Sequence, residues 1–143
     1  MARIQIQLPD RFIFSTQVQI YISHVNIGGH LDNAQLLTLV SEARTRFFVG
    51  LGYPDVDVDG CLYVVGDLVA QYKSEGFYGE TLQIDMTPAD INKYGFDLLF
   101  RMHEVNSGRE IARGKTGIVF VSPQNKKVAL IPQQFLQRLQ PSE

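Results

Sequence analysis

Along the chain the spacing of apolar positions changes period once and then returns. Residues 12–22 end in an alternating stretch, with Val18, Ile20 and Ile22 on one face and Gln17, Gln19 and Tyr21 on the other. Such alternation predicts a half-buried strand. From Leu36 the apolar residues fall at Leu36, Val40, Ala43 and Phe47, widened by Leu37, Leu39 and Phe48. That spacing predicts a helix, stopped by Gly50, Gly52 and Pro54, and apolar around enough of its circumference to be largely enclosed. Beyond it the strong segments read as strands. Residues 61–73 are rich in Val, Leu and Tyr, and Leu82, Ile84 and Met86 alternate with polar neighbours. Phe96, Leu98, Phe100 and Met102 form a third alternating set, and Ala112, Gly114, Thr116, Ile118 and Phe120 a fourth. Glu75–Gly79, Asn106–Gly108 and Ser122–Asn125 have the composition of hairpin turns, and Pro132–Leu139 can form a helical turn or two. The sum is an α+β pattern in one domain, residues 1–143: a curved antiparallel sheet wrapped around one long helix. Long strands leave edges that need cover, and dimerisation is a common solution.

Composition narrows the class. The chain has 143 residues, 45% hydrophobic and 20% charged, with a net charge of -2. A packed core is expected and disorder is not. Acidic residues outnumber basic ones, 15 to 13, which argues against a nucleic-acid footprint. No apolar run approaches the roughly 20 residues of a membrane span. The alternating start, Met1–Gln5, does not resemble a signal peptide, so a cytoplasmic protein is expected. The single cysteine, Cys61, excludes an intramolecular disulfide and a four-cysteine zinc site, and a small core filler is its expected role. His24, His30 and His103 show no metal-ligand spacing, so no metal site is expected. His24 and His103 read as ordinary polar positions.

The segment with the most chemistry is His24-Val25-Asn26-Ile27-Gly28-Gly29-His30-Leu31-Asp32-Asn33-Ala34. Two glycines and polar residues at a helix start expose backbone N–H groups, and the helix terminus adds partial positive charge. An anion or developing oxyanion suits that place. The plainer reading is that Asp32 or Asn33 caps the helix and the glycines only make the turn.

Gly29-His30-Leu31-Asp32-Asn33-Ala34, followed by Glu42-Ala43-Arg44, resembles the loop and central helix of hotdog-fold acyl-CoA thioesterases of the 4-hydroxybenzoyl-CoA thioesterase type. Tyr78-Gly79-Glu80-Thr81-Leu82 and Ala112-Arg113-Gly114-Lys115-Thr116 resemble two later segments of that family. The resemblance implies a hotdog fold and hydrolysis of an acyl-CoA or acyl-carrier thioester, with coenzyme A as part of the substrate and no separate cofactor. It also implies a homodimer that can pair into a tetramer, with sites at subunit interfaces. Gly29, Asp32 and Asn33 would then contact the substrate, and Arg113 and Lys115 the phosphates of coenzyme A. Surface-charge protection of a strand is the alternative for that pair.

One departure bears on catalysis. The family's loop aspartate, four residues before the histidine, is here Asn26. An amide is neither a general base nor a carboxylate nucleophile, although it can orient a carbonyl or a water. Asp32 also replaces the first asparagine of the family's pair. Glu42 is the acidic residue within the helix beyond its cap, and an enclosed glutamate there, in the same or the partner subunit, would suit a general base. Arg46 follows four residues later, so a helix salt bridge is its other reading. His30 is open to two readings, a donor to the substrate or a lock on the loop. The alternatives to hydrolysis are a non-catalytic acyl-thioester binder and, behind it, a hotdog dehydratase or hydratase using His30 with Glu42.

Overall fold

In the computed structural model, which describes residues 3–140, the predicted periods become nine short elements. Strand β1 is Phe14–Gln19, and a 3-10 turn at Ile22–His24 leads toward helix α1, Asn33–Gly50. Strands β2 (Asp57–Val58), β3 (Cys61–Tyr72), β4 (Thr81–Ala89), β5 (Gly95–Glu104) and β6 (Glu110–Val121) follow, then helix α2, Gln133–Leu139. All pairings are antiparallel, in the order β1-β4-β5-β6-β3-β2. The sheet curls around α1, the hotdog architecture that the resemblance implies. Met1 and Ala2, part of the alternating start, lie outside the described residues, as do residues 141–143.

The alternation translates directly into burial. Leu82, Ile84, Met86, Leu98, Phe100, Met102 and Ala112 are fully buried on the concave face. Helix α1 packs Leu36, Leu39, Val40, Ala43, Phe47 and Phe48 against them. Phe135 of α2 closes one end, its ring 5.2 Å from Phe120, 5.6 Å from Phe96 and 5.7 Å from Phe48. The helix is less enclosed than its composition suggests, since Thr38, Glu42 and Thr45 face solvent.

Two expectations need correction. Ile22 does not continue the buried face of β1: it is 72% exposed in the 3-10 turn, because the chain leaves the sheet after Ile20 donates its N–H to Glu80 O. Glu75–Gly79 is not a hairpin either. β3 pairs with β6 while β4 pairs with β1 and β5, so this connector crosses from one half of the sheet to the other. It passes tightly over the start of α1, where Leu31 N–H donates to Gly76 O at 2.7 Å. A Cβ at residue 76 would stand 2.8 Å from Ile20 Cδ1, so glycine is what allows this approach. Asn106–Gly108 does form the β5–β6 hairpin, with the Glu104 carboxylate accepting the N–H groups of Asn106 and Ser107.

One flank of the sheet is unfinished in the single chain. Tyr63, Val65, Leu68, Ala70 and Tyr72 share the concave face through their register with Phe120, Ile118, Thr116, Gly114 and Ala112. Val65 and Leu68 are nevertheless 43% and 38% exposed, because α1 covers the other half of the sheet. β2 pairs only with Cys61 and Leu62, which leaves the outer edge of β3 beyond them unpaired among the described residues.

Candidate active site

The loop before α1 is held by its own side chains. His24 Nδ1 accepts the Tyr21 N–H at 2.9 Å and the two rings stack, so His24 closes the 3-10 turn. Asn26 Oδ1 accepts the Gly28 N–H at 2.9 Å, and Gly29 donates to Asn26 O at 3.0 Å. Gly29 has φ of 87°, a left-handed conformation that glycine adopts without strain. The amide oxygen of Asn26 is therefore committed to its own turn. Asp32 caps α1, its Oδ2 accepting from Ala34 N–H at 2.9 Å and Gln35 N–H at 3.2 Å. The Asn33 N–H has no partner among the described residues, unlike those of Ala34, Gln35 and Leu36.

Asn26, His30 and Asn33 open onto one pocket of about 320 Å³. Leu31, Leu36 and Ile111 give it an apolar floor, and Tyr72 stands beside it with its hydroxyl donating to Asn33 O at 3.2 Å. Lys73 and Glu75 form the rim. His30 places Nδ1 3.3 Å from Leu31 O and Nε2 3.7 Å from Glu75 Oε1. Glu75 was not a candidate on sequence grounds. It carries no motif, and only the crossover of residues 75–79 brings it to a histidine 45 positions earlier in the chain.

Glu42 lies elsewhere. It opens on a separate cleft of about 650 Å³ between α1 and β1, with Thr38, Arg46, Gln17 and Gln19. Its Oε2 accepts from Arg46 Nε at 2.8 Å, and Arg46 Nη1 donates to Thr16 Oγ1 at 2.8 Å and Gln17 O at 2.7 Å. The side chain is 52% exposed, and the arrangement ties the helix to the edge strand. Of the three candidate catalytic side chains, one chain thus brings Asn26 and His30 together and holds Glu42 on the opposite flank of the helix.

Arg113 and Lys115 point outward from β6, each already bound to carboxylates of its own chain. Arg113 grips Glu110, with Nη2 to Oε2 at 2.9 Å, and donates to Ile6 O at 3.2 Å. The Arg113 hydrogen bonds hold the Glu110 carboxyl below its ordinary range, and the carboxylate in turn raises Arg113. Lys115 Nζ lies 3.1 Å from Asp97 and 3.2 Å from Asp67. Lys73 has no ion pair among the described residues. His103 sits 3.8 Å from the buried Asp85, and Cys61 is half-buried with a free thiol. No group of three or more potential metal ligands converges among the described residues, and no described helix is long and apolar enough to cross a membrane.

The same backbone occurs in solved structures. A 1,4-dihydroxy-2-naphthoyl-CoA thioesterase from Synechocystis superposes with a TM-score of 0.80 at 17% identity, covering 88% of this chain and 94% of that one. A protein of Pseudomonas aeruginosa strain PAO1 gives 0.81 at 15% identity, covering 90% of each chain. A gentisyl-coenzyme A thioesterase gives 0.78 at 16% identity, covering 88% of this chain and 99% of that one. At such identities the likeness is one of fold. No curated protein matches the chain in sequence. The family model of the thioesterase-like superfamily matches residues 6–139, nearly the whole length, and the chain belongs to that superfamily.

Proposed function

We propose that the protein hydrolyses an acyl-CoA thioester to the free acid and coenzyme A thiol, at the pocket beneath the start of α1. The observation that carries this reading is an apolar pocket lined by Asn33, the first residue of α1, whose N–H has no partner among the described residues, in a chain of the thioesterase-like superfamily. A donor so placed is suited to the negative charge that grows on a thioester oxygen under attack. The pocket's volume of about 320 Å³ and its floor of Leu31, Leu36 and Ile111 favour a ring-sized or short acyl group. Two fold neighbours named for aryl-CoA substrates point the same way.

For the phosphate end of coenzyme A, the geometry favours Lys73 at the rim. Arg113 and Lys115 would have to give up carboxylate partners to take that role. The active form is a homodimer paired through β3, whose open edge and exposed Val65 and Leu68 lie on the Tyr72 side of the pocket.

A second reading, a binder of acyl thioesters without turnover, is favoured by one observation. Asn26 stands in the loop where a carboxylate would do chemistry, and its oxygen is spent on Gly28. Incubation with a panel of aliphatic and aromatic acyl-CoAs, following free thiol, separates the two. Thiol release is the expected result. Saturable binding without release would establish the binder, and a change in double-bond absorbance without thiol would establish a dehydratase.

A further inference from the structure

Resting on the hydrolytic reading above, we infer that His30 is the general base of the reaction and that Glu75 is its positioning carboxylate. The ring orientation comes from the loop. A carbonyl oxygen only accepts, so Nδ1, 3.3 Å from Leu31 O, is the protonated nitrogen. The lone pair then lies on Nε2, the nitrogen nearer Glu75. Gly28 keeps that side open, since a Cβ there would approach Nε2 to 3.3 Å. At 3.7 Å the Glu75 oxygen is beyond a hydrogen bond, so it leaves Nε2 available to a water. From there it can accept the second hydrogen of a water held on Nε2, and so hold that water in place for attack.

The other charged and titratable groups around the ring do not duplicate this role. Tyr72 is bonded to Asn33 O, and Lys73 is a cation. Asp32 spends its carboxylate on the N–H groups of Ala34 and Gln35. In the step itself, Nε2 removes a proton from water as the water oxygen bonds to the thioester carbon. The tetrahedral intermediate then breaks its C–S bond, and the departing sulfur takes the proton from the imidazolium. One water is consumed, and acid and thiol are formed.

The test uses the whole 143-residue chain and whichever acyl-CoA of the panel it hydrolyses fastest. His30→Gln is expected to lower kcat on the order of 10²-fold or more, the scale of a positioned general base. Glu75→Gln is expected to lower kcat about fivefold, as suits a partly exposed charge partner, with KM unchanged. Glu75→Asp should restore most of the rate. A merely structural contact would change thermal stability but not kcat at constant KM. An unchanged kcat in folded Glu75→Gln overturns the pairing, and near-wild-type kcat in folded His30→Gln overturns the base. If the wild-type protein releases no thiol from any panel member, the hydrolytic reading falls first and this assignment falls with it, before any variant is made.

Discussion

Glu42 and Arg46 stand one helical turn apart, and the guanidinium reaches on to Thr16 and Gln17 of β1. Glu42→Gln is therefore expected to loosen the helix by about 0.3–0.5 kcal/mol, the scale of an exposed i,i+4 pair, and to leave thiol release largely intact. Asn26→Asp keeps an acceptor for the Gly28 N–H and adds a carboxylate to the pocket that holds His30, so it is expected to raise release. Steady-state assays on both folded variants check this, and the reverse order would put the chemistry on the helix. Asn26, His30 and Asn33 could be found from the chain because a short loop motif carries them. Glu75 could not, since its place beside His30 depends on which strands are neighbours. Thr116 offers a separate test. Its side chain is 1% exposed and Oγ1 has no partner among the described residues, so the hydroxyl was desolvated without a bond in return. Thr116→Val, nearly the same shape, should be neutral or stabilise by up to about 1 kcal/mol, read from urea unfolding.

At the level of the elements, α1 depends on Asp32 for its start. Asp32→Ala leaves the N–H groups of Ala34 and Gln35 without their acceptor and should cost about 1 kcal/mol, while Asp32→Asn should cost less. Thermal melts of the two variants give the comparison. β6 carries an acid-sensitive contact. Arg113 holds the Glu110 carboxyl below its ordinary value, so the stability gained is present above the unfolded-state pKa of about 4.3 and is lost as pH falls through the lower folded-state value. Glu110→Gln should flatten the stability–pH curve in that acid window and leave its slope near neutrality unchanged. The strands and α1 were legible because burial repeats at fixed periods, so Leu82, Phe100 or Val40 announce their own faces. The crossover was not. Glycine and tyrosine at Gly76–Gly79 suit a hairpin and a crossover equally, and the difference lies in β3 choosing β6 over β4. Ile22 failed for a related reason: alternation marks a face only while the chain stays in the sheet, and here it leaves two residues earlier.

For the molecule as a whole, the two edges of the sheet differ. At one side β1 is tied to α1 through Arg46, and Phe14 packs edge-on against Phe47 at 5.6 Å. At the other, β3 shows an open backbone edge together with exposed Val64, Val65 and Leu68, and Asp67 is the charged residue on that stretch. An edge that long and apolar is a template for another strand, and a second copy in antiparallel register satisfies it with two-fold symmetry. The protein is expected to sediment as a dimer of the 16.1 kDa chain at micromolar concentration. In such a dimer Leu68→Lys would bring two cations close together and should shift the population toward monomer, with secondary structure retained by circular dichroism because the residue is already part-exposed in the single chain. Tyr72 ends the same strand and stands over the pocket through its bond to Asn33 O, so loss of the dimer should also lower thioester hydrolysis. Raising the concentration of the variant should recover dimer and activity together. A wild-type chain that stays monomeric and hydrolyses at full rate would show that the open edge serves neither assembly nor the site.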